Sequence, residues 1–138
     1  MALLDVNALV ALAWDSHIHH VRIREWFADN AENGWATCPI TESGFVRVSA
    51  NPRVLASPIG IGDAQAVLAA LRAHGGHHFL SDDVSQVDGD LPKVAGYRQV
   101  TDAHLLTLAR RHSVRLVTFD AAAAALGQRK DVELLTAL

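Results

Sequence analysis

The segment Leu3–Leu12 reads LLDVNALVAL and combines a short apolar run, one acid and the start of a periodic apolar pattern. The apolar residues of Ala2–Val6 predict a buried strand, and the spacing from Asn7 to Trp14 predicts a helix that follows it directly. An acid inside such an apolar run is seldom found without a purpose, because burying a charge is costly. The segment therefore predicts a strand–helix unit in which Asp5 has a functional role.

The same alternation of strands and helices continues along the chain. Further strands are predicted at Trp35–Cys38, His77–Leu80 and Val114–Phe119, with a last short one at Val132–Leu135. Between them, helices are predicted at His17–Asn30, Thr41–Ala50, Asp63–His74, Thr101–His112 and Asp120–Leu126, and residues 81–99 form a loop with one or two helical turns. Short apolar strands alternating with helices favour a parallel sheet covered on both faces. We therefore predict one α/β domain over residues 1–138, a three-layer α/β/α sandwich with a central, mostly parallel sheet.

The composition of the 138 residues excludes several classes of protein. Half of the residues are hydrophobic and a fifth are charged, which allows a core and excludes a disordered chain. The net charge of −3 argues against a protein that holds nucleic acid by positive charge alone. The single cysteine, Cys38, excludes an intrachain disulfide and suits a reducing compartment. Because the apolar N-terminus contains Asp5 and Asn7, and no Lys or Arg precedes Arg22, we expect neither a signal peptide nor a membrane span, and predict a cytoplasmic protein.

Four acids take similar positions in the predicted strand–helix units. Asp5 and Asp120 each end a strand, Glu42 opens the helix after the second strand, and Asp102 opens the helix that Thr101 is expected to cap. The carboxyl ends of parallel strands meet at one edge of a sheet, where such sheets bind ligands. We therefore expect the four carboxyl groups to lie together.

Three of these acids also have a purely structural interpretation. An acid in the first turn of a helix gains about 0.3–1 kcal/mol from the helix dipole, which would account for Glu42 and Asp102. Asp120 is well placed to cap the alanine helix behind it. A cluster is harder to explain this way, since two carboxylates ~4 Å apart repel by roughly 4 kcal/mol at an effective dielectric near 20. Four clustered acids must take up protons or bind a hard cation, and all-oxygen ligation favours Mg²⁺ or Mn²⁺, as one ion or two.

Four phrases of the sequence, taken in order, carry a family resemblance. LLDVNALVAL, PITESGFVRV, YRQVTDAHLLTLA and LVTFD together resemble the PIN domain, and in particular the VapC-type toxins of bacterial toxin–antitoxin pairs. The resemblance runs from Leu4 to about Leu126. It implies a metal-dependent endoribonuclease that leaves 5′-phosphate and 3′-hydroxyl ends on an RNA such as tRNA or ribosomal RNA. It also implies a VapB-type antitoxin as partner, and a homodimer.

The resemblance also assigns the metal-binding positions. Asp5, Glu42, Asp102 and Asp120 match the acidic positions of the family. We expect the three aspartates to be the nearest ligands of the ion, and Glu42 to reach it directly or through water. Some relatives carry a further acid beyond the last position, and Ala121–Ala125 offers none here, so the site depends on these four acids.

Three other residues are candidates for supporting roles near the acids. Asn7 is placed to orient the carboxylate of Asp5, although it is equally placed to cap the next helix. Thr118 is placed to hydrogen-bond a ligand of the metal, although a threonine is also an ordinary strand residue. Arg98 is the best candidate for contact with a substrate phosphate. No positional argument of this kind applies to Arg47, Arg53 and Arg72.

The remaining polar and aromatic clusters have simpler interpretations. We expect His17, His19 and His20 to pack on the surface near two tryptophans, away from the acidic edge. His74, His77 and His78 are expected in a solvated loop, His104 on another face of its helix from Asp102, and the loop acids in solvent, namely Asp82, Asp83, Asp88 and Asp90. The first two predicted helices carry three aromatic residues, Trp14, Trp26 and Phe27. We expect most of their ring surface to lie in the core and a smaller share to be open to an antitoxin segment.

Two other functions remain compatible with the sequence. A phosphohydrolase with an aspartyl nucleophile often carries a second Asp two residues after the first, and Asn7 at that position counts against it. A catalytically silent module of the same fold would bind RNA or protein without cleaving it. Incubation of RNA with Mg²⁺ or Mn²⁺ and then with EDTA distinguishes these alternatives from a nuclease.

Overall fold

The computed structural model describes residues 1–55, 57 and 59–136, so the last two residues of the predicted domain lie outside it. Within these residues, five strands form one sheet in the order β3-β2-β1-β4-β5, and each neighbouring pair is parallel. The strands are β1 (Ala2–Leu4), β2 (Trp35–Thr37), β3 (His77–Phe79), β4 (Arg115–Thr118) and β5 (Val132–Leu134). The predicted α/β class and parallel sheet are confirmed.

Helices cover both faces of the sheet. They are α1 (Val6–Ala13), α2 (His20–Asn30), α3 (Pro39–Ser49), α4 (Ile61–Arg72), α5 (Val100–Arg111) and α6 (Ala121–Ala124). The apolar side chains of α1 to α4 pack together on one face, and those of α5 and α6 pack on the other. None of the described helices is long and apolar enough to cross a membrane. The three predicted layers are therefore present.

The core is divided between the two faces by alternation along the strands. In β1, Leu4 packs in the cluster that contains Trp35 and Phe45, whereas Leu3 packs in the cluster that contains Leu105. Successive side chains of a strand point to opposite faces, so an apolar run without alternating polar residues must be buried on both. This explains why β1 contains no polar residue and β2 none before Thr37.

The order of the strands reverses beside β1. The chain runs from β1 outward to β2 and β3, and then returns to place β4 on the other side of β1. Leu4 is the register partner of Val117, and the amide of Asp5 donates to the carbonyl of Val117 at 3.1 Å. Ligands of open parallel sheets bind at such a reversal, outside the carboxyl ends of the strands. Asp5 and Asp120 directly follow the two strands concerned.

Several helices begin at other residues than predicted. Pro39 does not end the second strand region but is the first residue of α3, where its missing N–H costs no hydrogen bond. Helix α5 begins at Val100 with Gln99 as its N-cap, so Thr101 lies inside the helix and does not cap it. The start of α2 is later than predicted, because the chain between α1 and His20 forms turns.

Candidate active site

Asp5 is the most buried acid at the carboxyl edge, with 7% of its surface exposed. It is the N-cap of α1, and its Oδ1 accepts a hydrogen bond from the amide of Ala8 at 2.8 Å. Burial raises the pKa of Asp5 to about 6, opposed by the Thr118 hydroxyl and the Ala8 amide and assisted by the charges of Asp102 and Asp120. The alternative interpretation of Asn7 as the cap of this helix is therefore wrong, because Asp5 fills that position.

Asp102 and Asp120 complete a trio of interacting aspartates. Asp102 lies in the first turn of α5 and is half-buried, and burial and the charge of Asp120 both raise its pKa. Asp120 is exposed and caps α6, with its Oδ1 accepting from the amide of Ala122 at 2.8 Å. The amide of Asp120 donates to the Thr118 hydroxyl at 3.0 Å, so Thr118 lies between two of the acids. The chain thus brings together acids that are 97 and 18 residues apart.

In the described part of the chain, no cation balances this trio. Within the described residues, no Lys, Arg or His forms a salt bridge with any of the three aspartates. No three His, Cys, Asp or Glu side chains in that part of the chain already stand as a set of metal ligands. The donors are nevertheless hard carboxylate oxygens whose mutual repulsion a divalent cation would relieve. The chemistry of the three aspartates therefore fits a hard cation, with side-chain rotation needed to close around it.

Glu42 stands apart from the trio. Its Oε2 accepts a hydrogen bond from the Thr37 hydroxyl at 2.6 Å, and both carboxylate oxygens lie 3.2 Å from Nη1 of Arg72. Nε2 of His77 lies 2.8 Å from the same threonine oxygen. Three of the four predicted acids therefore interact with one another through their charges. The fourth, Glu42, interacts instead with the Arg72 guanidinium and the Thr37 hydroxyl.

The glycine of the PITESGFVRV segment explains how α3 comes close to the aspartates. A Cβ at Gly44 would lie 2.5 Å from Cγ2 of Val6, which is the first residue of α1. Only a residue without a side chain allows this approach. The contact places the first turn of α3, which carries Glu42, against the start of the helix that Asp5 caps.

The network around Glu42 contains residues that the sequence did not single out. Nothing in the position of Arg72 along the sequence indicates a role near the acids. Its contact with Glu42 depends on how α4 packs against α3. His77 was expected in a solvated loop but is half-buried in β3, with its ring centre 4.7 Å from that of Trp35. Burial and the charge of Arg72 lower the pKa of His77. The sequence does contain a signal for a role of Thr37, because this residue is polar and lies at the carboxyl end of an otherwise apolar strand.

The prediction that Asp82 faces solvent is wrong. The side chain of Asp82 is 9% exposed, and its Oδ2 lies 2.7 Å from Nε2 of His104. The loop after β3 folds back over α5, which brings these two residues together. Asp90 is exposed and Asp88 partly exposed, and each also binds the guanidinium of Arg111, at 2.7 and 2.8 Å.

The other candidates occupy the surroundings of the edge. Asn7 and Arg98 are exposed, and Nε of Arg98 donates to the Tyr97 hydroxyl at 3.4 Å. His19 was expected away from the acids, but its ring stacks on Phe119, the residue before Asp120, with centres 4.2 Å apart. The three aromatic residues of the first two helices belong mainly to the core: Trp26 and Phe27 are buried, and Trp14 is half-buried and donates to the Ser49 hydroxyl at 2.9 Å.

Comparison with known proteins places this geometry in a family. Residues 2–128 match the PIN domain model. The chain is 73% identical to Ribonuclease VapC38 of Mycobacterium tuberculosis over 141 aligned residues, which cover 100% of both chains. It is 47% identical to Ribonuclease VapC39 of the same organism, covering 97% of this chain and 99% of that protein.

A solved structure agrees with the fold. The chain superimposes on the crystal structure of Mycobacterium tuberculosis VapC20, described as a sarcin–ricin loop cleaving toxin, with a TM-score of 0.63. The match covers 94% of this chain and 98% of that one at 15% identity, so it concerns the fold alone. The strand–helix units, the aspartates at the reversal of the sheet and the full-length similarity lead to one conclusion: the chain belongs to the PIN domain family, among its VapC-type toxins.

Proposed function

We propose that the chain is a metal-dependent endoribonuclease toxin that hydrolyses phosphodiester bonds of tRNA or ribosomal RNA. The observation that carries this proposal is the trio Asp5, Asp102 and Asp120, which lies at the reversal of the sheet without a balancing cation in the described residues. Membership of the PIN domain family and the names of the two ribonuclease relatives support the choice of RNA as substrate. The products are 5′-phosphate and 3′-hydroxyl ends.

The three aspartates would hold Mg²⁺ or Mn²⁺, as one ion or two. When bound, such an ion would neutralise the cluster, polarise the scissile phosphate and lower the pKa of an attacking water. Glu42 keeps the outer position, because Thr37 and Arg72 already engage its carboxylate, and we assign it a contact through water. The carboxylates of this edge would otherwise repel an RNA phosphate, so the cation is also what makes the edge attractive to the substrate.

The surrounding backbone holds the acids in place before the substrate arrives. The amide of Ala8 fixes Asp5, and the amide of Ala122 fixes Asp120. The hydroxyl of Thr118 links these two residues by accepting from the amide of Asp120 and facing the carboxylate of Asp5. These contacts keep the acids at the edge, so that closing around an ion would need only rotation of their side chains.

Partners and location follow from the family. We propose that a VapB-type antitoxin neutralises the ribonuclease, that the chain forms a homodimer, and that it acts in the cytoplasm, where tRNA and ribosomes are found. Growth inhibition on expression without the antitoxin is the expected effect in the cell.

The test is cleavage of total RNA by the purified full-length chain with Mg²⁺ or Mn²⁺, and then with EDTA. We expect cleavage that needs the metal and leaves 5′-phosphate ends. Asp102→Asn should lower the rate by at least about 100-fold with the fold intact, since loss of an outer partner alone costs 10- to 100-fold.

The other outcomes contradict the proposal in different ways. Cleavage at an unchanged rate in EDTA would contradict metal dependence. RNA binding without cleavage of any RNA would favour a silent binding module, and a trapped phosphoryl group on Asp5 would favour an aspartyl-nucleophile phosphohydrolase.

A further inference from the structure

Two exposed aromatic rings lie beside the acidic edge, and each is accompanied by an arginine. Tyr97 is 81% exposed and Phe79 is 46% exposed. The Arg98 guanidinium lies 5.8 Å from the centre of the Tyr97 ring, and that of Arg72 lies 4.9 Å from the centre of the Phe79 ring. An exposed ring next to a positive charge suits a ligand that has both flat rings and negative charge.

Tyr97 stands on the side of the edge where Asp102 and Asp120 lie. It begins the short 3-10 helix Tyr97–Gln99, which leads directly into α5 and so places the ring five residues before Asp102. The side chain of Gln99 donates to the carbonyl of Ala122 at 3.5 Å, in the helix that Asp120 caps. Residues next to Tyr97 in the chain therefore connect it to the two helices at whose starts these acids lie.

Phe79 stands on the other side of the same edge. It is the last residue of β3 and the register partner of Thr37, the hydroxyl of which binds Glu42. Arg72 touches both Phe79 and Glu42, so the ring lies one arginine side chain away from this acid. Strand β3 is two strand spacings, about 10 Å, from β1, which Asp5 follows. Phe79 therefore lies on the β3 side of Asp5, and Tyr97 precedes the helix that carries Asp102.

We propose that Tyr97 and Phe79 stack the bases of unpaired nucleotides on the two sides of the scissile phosphate. This inference rests on the proposed ribonuclease function and assigns to it two side chains that bind the bases. Bases of unpaired RNA are free to stack on aromatic side chains, whereas those of a duplex are already stacked on each other. Arg98 supplies positive charge for the neighbouring phosphates. The pairing of each ring with an arginine favours a nucleotide over an apolar peptide as the occupant.

The experiment measures RNA binding with Ca²⁺ in place of Mg²⁺ or Mn²⁺, so that a hard cation neutralises the acids, and a gel checks that the RNA stays intact during the measurement. The probe is a fluorescein-labelled RNA strand of about 12 nucleotides without self-complementarity, used alone or annealed to its complement, with fluorescence anisotropy as the readout. Tyr97→Ala and Phe79→Leu should each weaken binding of the single strand about tenfold, which lies within the range measured for the loss of one stacked base. Duplex binding should change less than twofold.

Matched variants separate stacking from other effects. Tyr97→Phe keeps the ring and should bind the single strand within twofold of the unsubstituted chain. Val87→Ala, at a residue that is 91% exposed in the loop after β3, should have no effect on binding. Circular dichroism and thermal unfolding check that Phe79→Leu remains folded.

The inference fails if Tyr97→Ala binds the single strand as tightly as Tyr97→Phe, if the duplex binds as well as the strand, or if the unsubstituted chain binds neither. The first of these results would point to a protein partner on the two rings. The proposed function fails separately, when ring-dependent binding of the strand is observed but Mn²⁺ brings no cleavage.

Discussion

The two edges of the parallel sheet both carry acidic side chains, and they differ in what surrounds those acids. At the amino edge, a cavity of about 790 Å³ contains Asp131, the Oδ2 of which lies 2.9 Å from Arg110. In the same cavity, Glu133 accepts a hydrogen bond from Nε1 of Trp26 at 3.2 Å and lies 3.7 Å from Arg115. Each of these acids has a partner of its own.

At the carboxyl edge the aspartates have each other instead. The hydrogen bond with Arg110 lowers the pKa of Asp131, whereas burial and neighbouring charges raise the pKa of Asp5 and Asp102. The comparison shows that what distinguishes the candidate site is a group of carboxylates without cationic partners in the described residues, and not a large cavity. Such an arrangement costs stability in the free protein, and proteins accept that cost mainly at functional sites.

Removing one acid at each edge sharpens this comparison. Asp5→Asn should raise the free energy of unfolding in EDTA at pH 7 by about 1–3 kcal/mol, because it removes a buried charge and keeps an oxygen for the Ala8 amide. Asp131→Asn should lower it by about 1 kcal/mol, through loss of the charged partner of Arg110. Urea unfolding followed by tryptophan fluorescence measures both. Equal destabilisation by the two variants would break the comparison.

The pH dependence provides a control for the Asp5 variant. The pKa of Asp5 in the folded chain is about 6, above the value of 3.8 for an unperturbed aspartate. The stability that this carboxyl group contributes is therefore complete below pH 3.8 and is lost as the pH rises through 6. The advantage of Asp5→Asn should accordingly be present at pH 7 and nearly vanish below pH 4. An advantage independent of pH would show that the charge is not its cause.

A smaller effect is expected from the hydroxyl that binds Glu42. Thr37→Val removes the donor to Glu42 and should lower the rate of RNA cleavage about tenfold, as expected for a partner that orients a metal-site carboxylate. Thr107→Val is the matched control, since Thr107 is also buried and its hydroxyl donates to the carbonyl of Ala103 at 2.8 Å. Equal rates for the two variants would show that Thr37 only stabilises the fold.

The fold could be predicted in large part because its signals are local. Apolar runs such as Leu3–Leu4 and Leu116–Val117 specify strands, and the positions of the acids behind them follow from strand order. Helix ends were less predictable, because they depend on the competition between alternative caps. Helix α5 thus starts at Val100, although Thr101 is of a residue type that often caps helices.

The site could be predicted where its residues follow strand ends, and not where they meet through packing. Asp5 and Asp120 are fixed by β1 and β4, which are adjacent in the sheet. Arg72 reaches Glu42 across 30 residues of sequence, through the packing of α4 on α3. His77 reaches Thr37 across 40 residues, through the register of β2 and β3. Neither contact leaves a pattern within one segment of the sequence.

The central claim is that Asp5, Asp102 and Asp120 share a divalent cation, and a Mn²⁺ titration of the metal-free chain at pH 7 tests it most directly. Electron paramagnetic resonance of free Mn²⁺ gives the affinity without any substrate. The account predicts that Asp102→Asn weakens Mn²⁺ binding by at least about tenfold while Asp131→Asn binds as the unsubstituted chain does. Equal Mn²⁺ affinity in all three proteins would contradict it.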